Sequence, residues 1–329
     1  MVSYERDGHG TGWVAHNTFG VRKIELPVLV LLYNRPDLTS KLLDSLSETE
    51  GLRIYAAIDG PRSDADRIRT DAVADILANS TTVPFQKVWK EPRNLGCGPG
   101  VALALQRFFN EVEFGVVLED DCIPTPEFFD YCRWGLGTFS GDARVGVISG
   151  INYVPPLLRD RHSQPVYLSR YPQIWGWATW ANRIKGYSHR SEMRRGSLVD
   201  SPQWRALSPL ERLDWTRRFH TSRTVAWKHS WSVQLVHHLW RNNFYSLAPP
   251  TSLVSNKGFG SEATHTSGPA PAWYSDPVDG VQRRELVALA KSMNAAELAP
   301  NLKADKWTSA KFFSPPINER LRRRIRSLG

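Results

Sequence analysis

The chain has 329 residues, 41% of them hydrophobic and 11% aromatic, which is enough to bury one large core or two modest ones. Its net charge of +9 favours polyanionic partners, although much of the excess lies in the arginine-rich stretch 319–326. The three cysteines form no CxxC pair and the longest apolar run is 27–33, so composition argues against a disulfide framework, a cysteine zinc site and a membrane-spanning helix.

Strand-like and helix-like segments alternate from residue 26 onwards. The apolar run 26–33 is typical of a strand buried on both faces of a parallel sheet, and the leucines at 38, 42, 43 and 46 recur at helical spacing. The further predicted elements are strand 53–58, helix 66–78, strand 85–89, helix 100–109, strand 115–118 and helix 281–293. This alternation predicts an α/β fold with an open, mostly parallel sheet, right-handed crossovers and flanking helices.

Three turns at the carboxyl ends of predicted strands carry polar or charged residues. They are 34–37, 59–62 and 119–123. Ligands of open α/β sheets bind outside the carboxyl ends of the strands, so we expect the binding residues in these turns.

The turn 119–123 begins with three successive carboxylates, Glu119, Asp120 and Asp121, directly after a buried strand. Carboxylates packed side by side repel one another, and a hard cation such as Mg²⁺ or Mn²⁺ would relieve that repulsion while leaving positions open for phosphate. A solvated loop or an acidic helix N-terminus is the alternative, and the triplet alone leaves both open.

Two further motifs lie later in the chain. The glycine-rich stretch 256–266 permits close backbone approach and contains His265, which is either a metal ligand from a distant part of the chain or a structural histidine. In 175–180 the aromatic residues alternate as on one apolar face of a strand, with Gly176 between them. Core packing is the favoured interpretation there, and ligand approach at Gly176 is the alternative.

Taken together and in this order, these motifs resemble bacterial nucleotide-sugar glycosyltransferases of the GT-A fold (family 2-like), which are related to N-acetylglucosaminyltransferase I. The resemblance covers about residues 25–266 and is carried by five stretches: 28–35, 57–60, 118–131, 175–180 and 258–266. It implies a Rossmann-like nucleotide-binding sheet, a nucleotide-sugar donor and Mn²⁺ or Mg²⁺ as cofactor.

The resemblance also implies a role for each candidate residue. Asp121 would bind the metal that bridges the donor's diphosphate, and His265 would reach the metal or the diphosphate. Glu119 and Asp120 would orient the ribose and the neighbouring loop. The nucleotide-binding roles fall to Asp59, at the base, and Arg35.

The general base departs from the pattern of that family. Many relatives carry an aspartate just after a tryptophan where this chain has Ser232, and a serine hydroxyl is a poor base at neutral pH. His229, at helical spacing from Ser232, and Glu262 in the glycine-rich stretch are the candidate bases, and the sequence leaves the choice between them open.

These features predict a metal-dependent, inverting glycosyltransferase that moves a sugar from a nucleoside-diphosphate donor, UDP being the expected nucleotide, to a glycan, lipid-linked or small-molecule acceptor. One alternative is a degenerate transferase, or a basic module that binds nucleic acid or membrane without catalysis. Such a module has no use for the acidic triplet, so we expect no nucleic-acid partner. A nucleotide-sugar-forming nucleotidyltransferase would carry a glycine-rich loop after its first strand, where this chain has 34–37 without glycine.

The chain divides by composition into four stretches. They are an irregular N-terminal arm (1–24), a nucleotide-sugar-binding half (25–150), an acceptor-side half of the same domain (151–266) and a C-terminal extension (267–329). The N-terminus has no apolar leader, so we expect a cytoplasmic protein. The basic tail is either a frayed end or an interfacial helix that docks on the anionic inner face of the cell membrane.

Overall fold

A computed structural model describes residues 25–155, 158, 165–190, 195–224, 230–259 and 276–314, together with the backbone of three short strands before residue 24. None of the helices in these ranges combines the length and the apolar character that crossing a bilayer requires.

The strands of the described ranges form three sheets. In chain order they are β1 (Ser3–Arg6), β2 (Trp13–His16), β3 (Arg22–Lys23), β4 (Leu26–Leu32), β5 (Leu52–Ile58), β6 (Phe85–Lys90), β7 (Phe114–Glu119), β8 (Cys122–Pro124), β9 (Val145–Ser149), β10 (Tyr167–Ser169), β11 (Trp177–Trp180), β12 (Tyr245–Ala248) and β13 (Val254–Asn256). Strands β1 to β3 form an antiparallel sheet, so the prediction of an irregular arm is wrong for these residues: their backbones pair with one another.

The central sheet has eight strands in the order β10-β12-β9-β11-β7-β4-β5-β6. Strands β7, β4, β5 and β6 run parallel, as do β9 and β12. Strand β11 is antiparallel to both of its neighbours, β7 and β9, and β10 is antiparallel to β12. The predicted fold class, an open and mostly parallel α/β sheet, is therefore confirmed.

Helices cover both faces of this sheet. In chain order they are α1 (Pro36–Ser47), α2 (Asp64–Ala78), α3 (Cys97–Glu111), α4 (Pro126–Thr138), α5 (Ala181–Ile184), α6 (Pro202–Arg205), α7 (Pro209–Thr224), α8 (Ser232–Arg241), α9 (Gly280–Ser292) and α10 (Leu302–Thr308). Local chemistry sets two of the starts: Pro36 opens α1, and the Ser63 hydroxyl accepts from the Asp66 N–H at the start of α2.

The two faces of the sheet carry separate cores. Helices α1, α2 and α4 pack on one face, and α3 and α8 pack on the other. The aromatic motif 175–180 contributes to both, because Trp177 packs with α3 and α8 while Trp180 packs with α4. The expectation of one continuous aromatic face is wrong, since Gly176 has φ +70° and the strand begins only at Trp177. The favoured interpretation, core packing, is confirmed for Trp177 and Trp180, which are 1% and 7% exposed.

Candidate active site

The three predicted turns meet at one cavity of about 450 Å³ outside the carboxyl ends of the parallel strands. Arg35 follows β4, Asp59 follows β5, and Glu119 to Asp121 close β7. Asn256 and the start of α8 complete the wall. The three turns therefore lie together, as the sequence predicted, and their role in binding stays a prediction.

Arg35 forms ion pairs with two residues of the acidic triplet. Arg35 donates from its Nη1 atom to Oδ1 of Asp120 and to Oδ2 of Asp121, each over 3.0 Å. All three side chains are largely shielded, with 15%, 10% and 18% exposure for Arg35, Asp120 and Asp121. A single positive group thus reaches two carboxylates at once.

Among the described residues at this end of the cavity, three carboxyl groups lie near one guanidinium, that of Arg35. The pKa of Glu119 is raised to about 8 and that of Asp120 to about 7, first because burial disfavours their charged forms and second because the charge of Asp121 repels them. Arg35 opposes both effects but does not offset them. The cluster would therefore gain stability in its ionised form from a second cation.

The glycine-rich stretch contacts the acidic triplet, although the two are more than a hundred residues apart in sequence. Strand β13 pairs with β8, and the Lys257 N–H donates to the Asp121 carbonyl over 2.8 Å. The Asn256 amide nitrogen lies 3.5 Å from Oδ1 of Asp121. A side chain at Gly258 would place its Cβ 2.1 Å from Oδ2 of Asp121, so only glycine fits beside this carboxylate.

The donor set of this cluster suits a hard divalent cation. The carboxylates of Asp120 and Asp121 converge on one point, as the shared Arg35 nitrogen demonstrates. The Asn256 amide nitrogen beside them is a hydrogen-bond donor, and its Oδ1 accepts from the Gly258 N–H, so Asn256 orients Asp121 and is not a metal ligand in this arrangement. Within the described ranges, no three His, Cys, Asp or Glu side chains form a complete metal-binding group. Further ligands would have to come from substrate oxygens, water or residues outside those ranges.

Asp59 lies on the cavity wall, as predicted, and its carboxylate holds the loop that opens α3. Oδ1 accepts from the N–H groups of Gly60 and Leu95, and Oδ2 accepts from the Asn94 amide and the Gly96 N–H, over 2.8 to 3.1 Å. Four donors match the roughly four lone-pair positions of a carboxylate. Contact between Asp59 and a base stays a prediction. The structure adds a second role for Asp59, which is to hold the loop before α3.

The opposite end of the cavity contains residues that sequence reasoning missed. The Trp89 side chain on β6 lines this end, and Glu91 directly follows that strand. Arg107 on α3 forms an ion pair with Glu91. Glu91 could have been found, because it follows a predicted strand just as Asp59 does. Arg107 sits mid-helix among apolar residues, and only the packing of α3 on the sheet brings it here.

Ser232 is the first residue of α8 and lines the cavity, with its Oγ 3.4 Å from that of Ser230. Between these two serines, Trp231 packs on Trp177, with 5.9 Å between the ring centroids. The two candidate bases, His229 and Glu262, lie outside the described residues. So do the candidate ligand His265 and the tail 319–329. Their roles stay predictions.

Neither protein-family profiles nor curated protein sequences give a match to this chain. Among solved structures, it is similar to the mannosyltransferase PcManGT from Pyrobaculum calidifontis in complex with GDP-Man and Mn²⁺. Identity is 17%, coverage is 50% of this chain and 47% of that chain, and the TM-score is 0.35. It is also similar to S. aureus TarS, with 15% identity, coverage of 68% and 35%, and a TM-score of 0.38.

A third similar structure is the inositol-1-phosphate CTP transferase from T. maritima, with 12% identity, coverage of 83% of this chain and 99% of that chain, and a TM-score of 0.32. The chain thus spans less than half the length of the mannosyltransferase and about a third of TarS.

Proposed function

We propose that this chain is a metal-dependent glycosyltransferase of the GT-A type. It moves a sugar from a nucleoside-diphosphate donor, with UDP the expected nucleotide, to a hydroxyl of a glycan, lipid-linked or small-molecule acceptor, with inversion at the sugar carbon. One observation carries the proposal: Asp120, Asp121, Arg35 and Asn256 converge at one end of a cavity at the carboxyl edge of a parallel sheet.

The chemistry of the leaving group explains this set of residues. A nucleoside diphosphate is an anion, and an acidic wall repels it unless a cation lies between them. A divalent metal held by Asp120 and Asp121 would supply that cation and neutralise the charge that develops on the departing diphosphate. Arg35, within reach of the same carboxylates, would donate to phosphate oxygens.

The remaining roles follow the same logic. His265 would add a ligand to the metal or a donor to the diphosphate, and Glu119 would orient the ribose. Either His229 or Glu262 would remove the proton from the acceptor hydroxyl. Replacing each of these two in turn by glutamine and measuring transfer at saturating donor assigns the base: the variant that loses turnover identifies it.

The test is a thermal-shift panel of UDP, GDP, CDP and ADP, each with and without Mn²⁺ or Mg²⁺. A ligand that binds only the folded state stabilises it by about 2.7 kcal/mol at a hundredfold excess over its dissociation constant. We expect a shift with one diphosphate, only in the presence of metal, and its loss in Asp121→Asn. Asp44→Asn is the matched control, because Asp44 is an exposed aspartate of α1 outside the cavity.

A nucleotide shift of equal size without metal would contradict the metal dependence. No shift with any nucleotide would contradict the transferase and favour a degenerate relative or a basic binding module. If Asp121→Asn shows the same metal-dependent thermal shift as the wild type, the metal does not bind at Asp121.

A further inference from the structure

The cavity has to recognise the base of the donor as well as its diphosphate, and the residue expected to contact the base is already engaged. The Asp59 carboxylate accepts four hydrogen bonds from the protein itself, three of them from the loop Asn94 to Gly96. A base that bonded to Asp59 would have to displace one of these donors. The selective contacts therefore have to come from other polar groups of the cavity.

The sheet order fixes where such groups lie. The acidic triplet follows β7, Arg35 follows β4, Asp59 follows β5 and Glu91 follows β6, and these four strands are consecutive neighbours. Adjacent strands are about 4.8 Å apart, so Glu91 lies three spacings, roughly 14 Å, from the triplet. An extended nucleotide that holds its diphosphate at β7 runs along this edge and brings its base towards β6.

An ion pair occupies that far end of the cavity. Arg107 donates from Nη1 to Oε1 of Glu91, and the Glu91 N–H is fixed to the Ile58 carbonyl over 3.0 Å. The side chains of Glu91 and Arg107 are 18% and 36% exposed, so both keep surface that a ligand can reach. The Trp89 ring lines the adjacent wall and is held against Tyr55, with 6.0 Å between the ring centroids. An aromatic wall of this kind suits base stacking.

A carboxylate beside a guanidinium presents an acceptor next to donors. That pattern complements a base edge on which a ring N–H lies beside a carbonyl oxygen, as in uracil and guanine. Cytosine and adenine present a ring nitrogen lone pair and an amino group instead, so they match the pair only in the opposite order, with the amino group on Glu91 and the ring nitrogen on Arg107. A nucleotide held by its diphosphate presents its base in one order, and the order that places a ring N–H on Glu91 is the one that the expected nucleotide, UDP, requires. A ligand that leaves a buried polar group of the site unpaired binds with much lower affinity.

We infer that Glu91 and Arg107 read the base of the donor nucleotide and select a base edge with a ring N–H beside a carbonyl, that of uracil or guanine. Glu91 accepts from the ring N–H, and Arg107 donates to the carbonyl oxygen. This inference rests on the proposed function and names the residues that give the donor site its base selectivity.

The experiment is calorimetric titration of the full chain with UDP, GDP, CDP and ADP, in the presence of the metal that supports binding. The wild type should bind UDP or GDP more tightly than CDP and ADP by roughly ten- to hundredfold, the discrimination typical of a bidentate base contact. The UDP and GDP titrations decide between the two bases. Glu91→Gln should lower affinity for the preferred nucleotide and narrow its margin over CDP, whereas affinity for inorganic pyrophosphate, which has no base, should be unchanged.

The chain offers a matched control. Lys87 and Glu111 form an ion pair between the same strand and the same helix, 2.6 Å apart and outside the cavity. Glu111→Gln should leave all four affinities at the wild-type level, because this pair only joins α3 to β6.

Four results would overturn the inference. If Glu91→Gln keeps the wild-type base preference while Asp121→Asn still abolishes nucleotide binding, Glu91 does not recognise the base. The proposed function is then unaffected. Loss of pyrophosphate affinity in Glu91→Gln shows that the pair holds the shape of the site. A wild type that prefers CDP or ADP contradicts the complementarity, and one that binds no nucleotide removes the proposed function as well.

Discussion

Gly258 lies so close to Asp121 that a single methyl group at this position would disturb the acidic cluster. Its virtual Cβ would lie 2.1 Å from the Asp121 Oδ2 atom and 2.8 Å from its Cγ. We expect Gly258→Ala to push the carboxylate aside and to lower the affinity for divalent metal by at least about tenfold, which corresponds to about 1.4 kcal/mol. Titration of metal in the presence of the bound nucleotide measures this.

Gly141→Ala is the control for that substitution, because nothing lies within 4 Å of a Cβ built on Gly141. It should leave metal affinity unchanged. A Gly258→Ala protein that binds metal like the wild type would mean that Asp121 does not contact the metal through this oxygen.

The raised pKa values of Glu119 and Asp120 predict a pH dependence of stability in the metal-free protein. Both carboxyls bind protons more tightly when folded than when unfolded, so the free energy of unfolding should fall as pH rises from about 4, near the unfolded pKa values, to about 8. Glu119→Gln should flatten this slope and raise the Tm at pH 8. Thermal melts in chelator across this range measure it.

The exposed Glu48 provides the comparison for Glu119. Glu48→Gln should keep the wild-type slope, because Glu48 is exposed and lies outside the acidic cluster. A wild-type Tm that rises steadily to pH 8 would contradict the raised values.

At the residue scale, the sequence predicted the part of the site that follows strands. Arg35, Asp59 and the acidic triplet were found because each stands directly after an apolar run, where the carboxyl-end rule applies. The contact of Gly258 with Asp121 and the position of Arg107 at the cavity were not predictable. Both depend on contacts between segments that are distant in the sequence, and no local sequence pattern indicates such contacts.

At the scale of elements, a buried ion pair fastens the C-terminal region to the sheet. Arg170, just after β10, donates from Nε to Oδ2 of Asp305 on α10 over 3.1 Å, and Ser169 donates to Oδ1 over 2.7 Å. The two charged side chains are 3% and 1% exposed. Removal of one charge leaves the other buried and unpaired, so Asp305→Asn should cost about 3–5 kcal/mol of the free energy of unfolding. Urea unfolding measures this cost.

The exposed pair of Arg205 and Asp200 serves as the comparison, with a separation of 2.7 Å and side chains 64% and 90% exposed. Asp200→Asn should change stability by less than about 1 kcal/mol, because solvent screens exposed ion pairs. Equal effects of the two substitutions would mean that α10 contributes little to the fold.

The order of most elements was predictable, because strands β4 to β7 and the helices between them follow hydrophobic periods. The position of β11 was not. Its four residues lie in a motif whose aromatic residues indicate a strand, but its place between β7 and β9 is set by pairing with strands made from residues 114–119 and 145–149. Sequence patterns report the local period and not the partner strand.

At the scale of the whole molecule, the stretches 25–150 and 151–266 share one sheet. Strand β11 joins β7 to β9, and β12 pairs with β9 on its other side. A fragment of residues 25–150 would lack both strands, so we expect it to show no cooperative thermal transition by circular dichroism, in contrast to the full chain. A fragment that melts cooperatively and binds nucleotide would establish the donor half as an independent domain.

The central position of β11 also means that a strand made late in synthesis has to insert between two strands made earlier. While the chain is being synthesised, β7 and β9 are complete before residues 177–180 leave the ribosome, so the strand that joins them is always the last of the three to arrive. Until then both expose apolar edges, and such edges are the usual sites of intermolecular pairing in nascent chains. Rare codons placed between residues 150 and 177 would lengthen that interval, and the yield of soluble protein would depend on chaperones that cover the open edges.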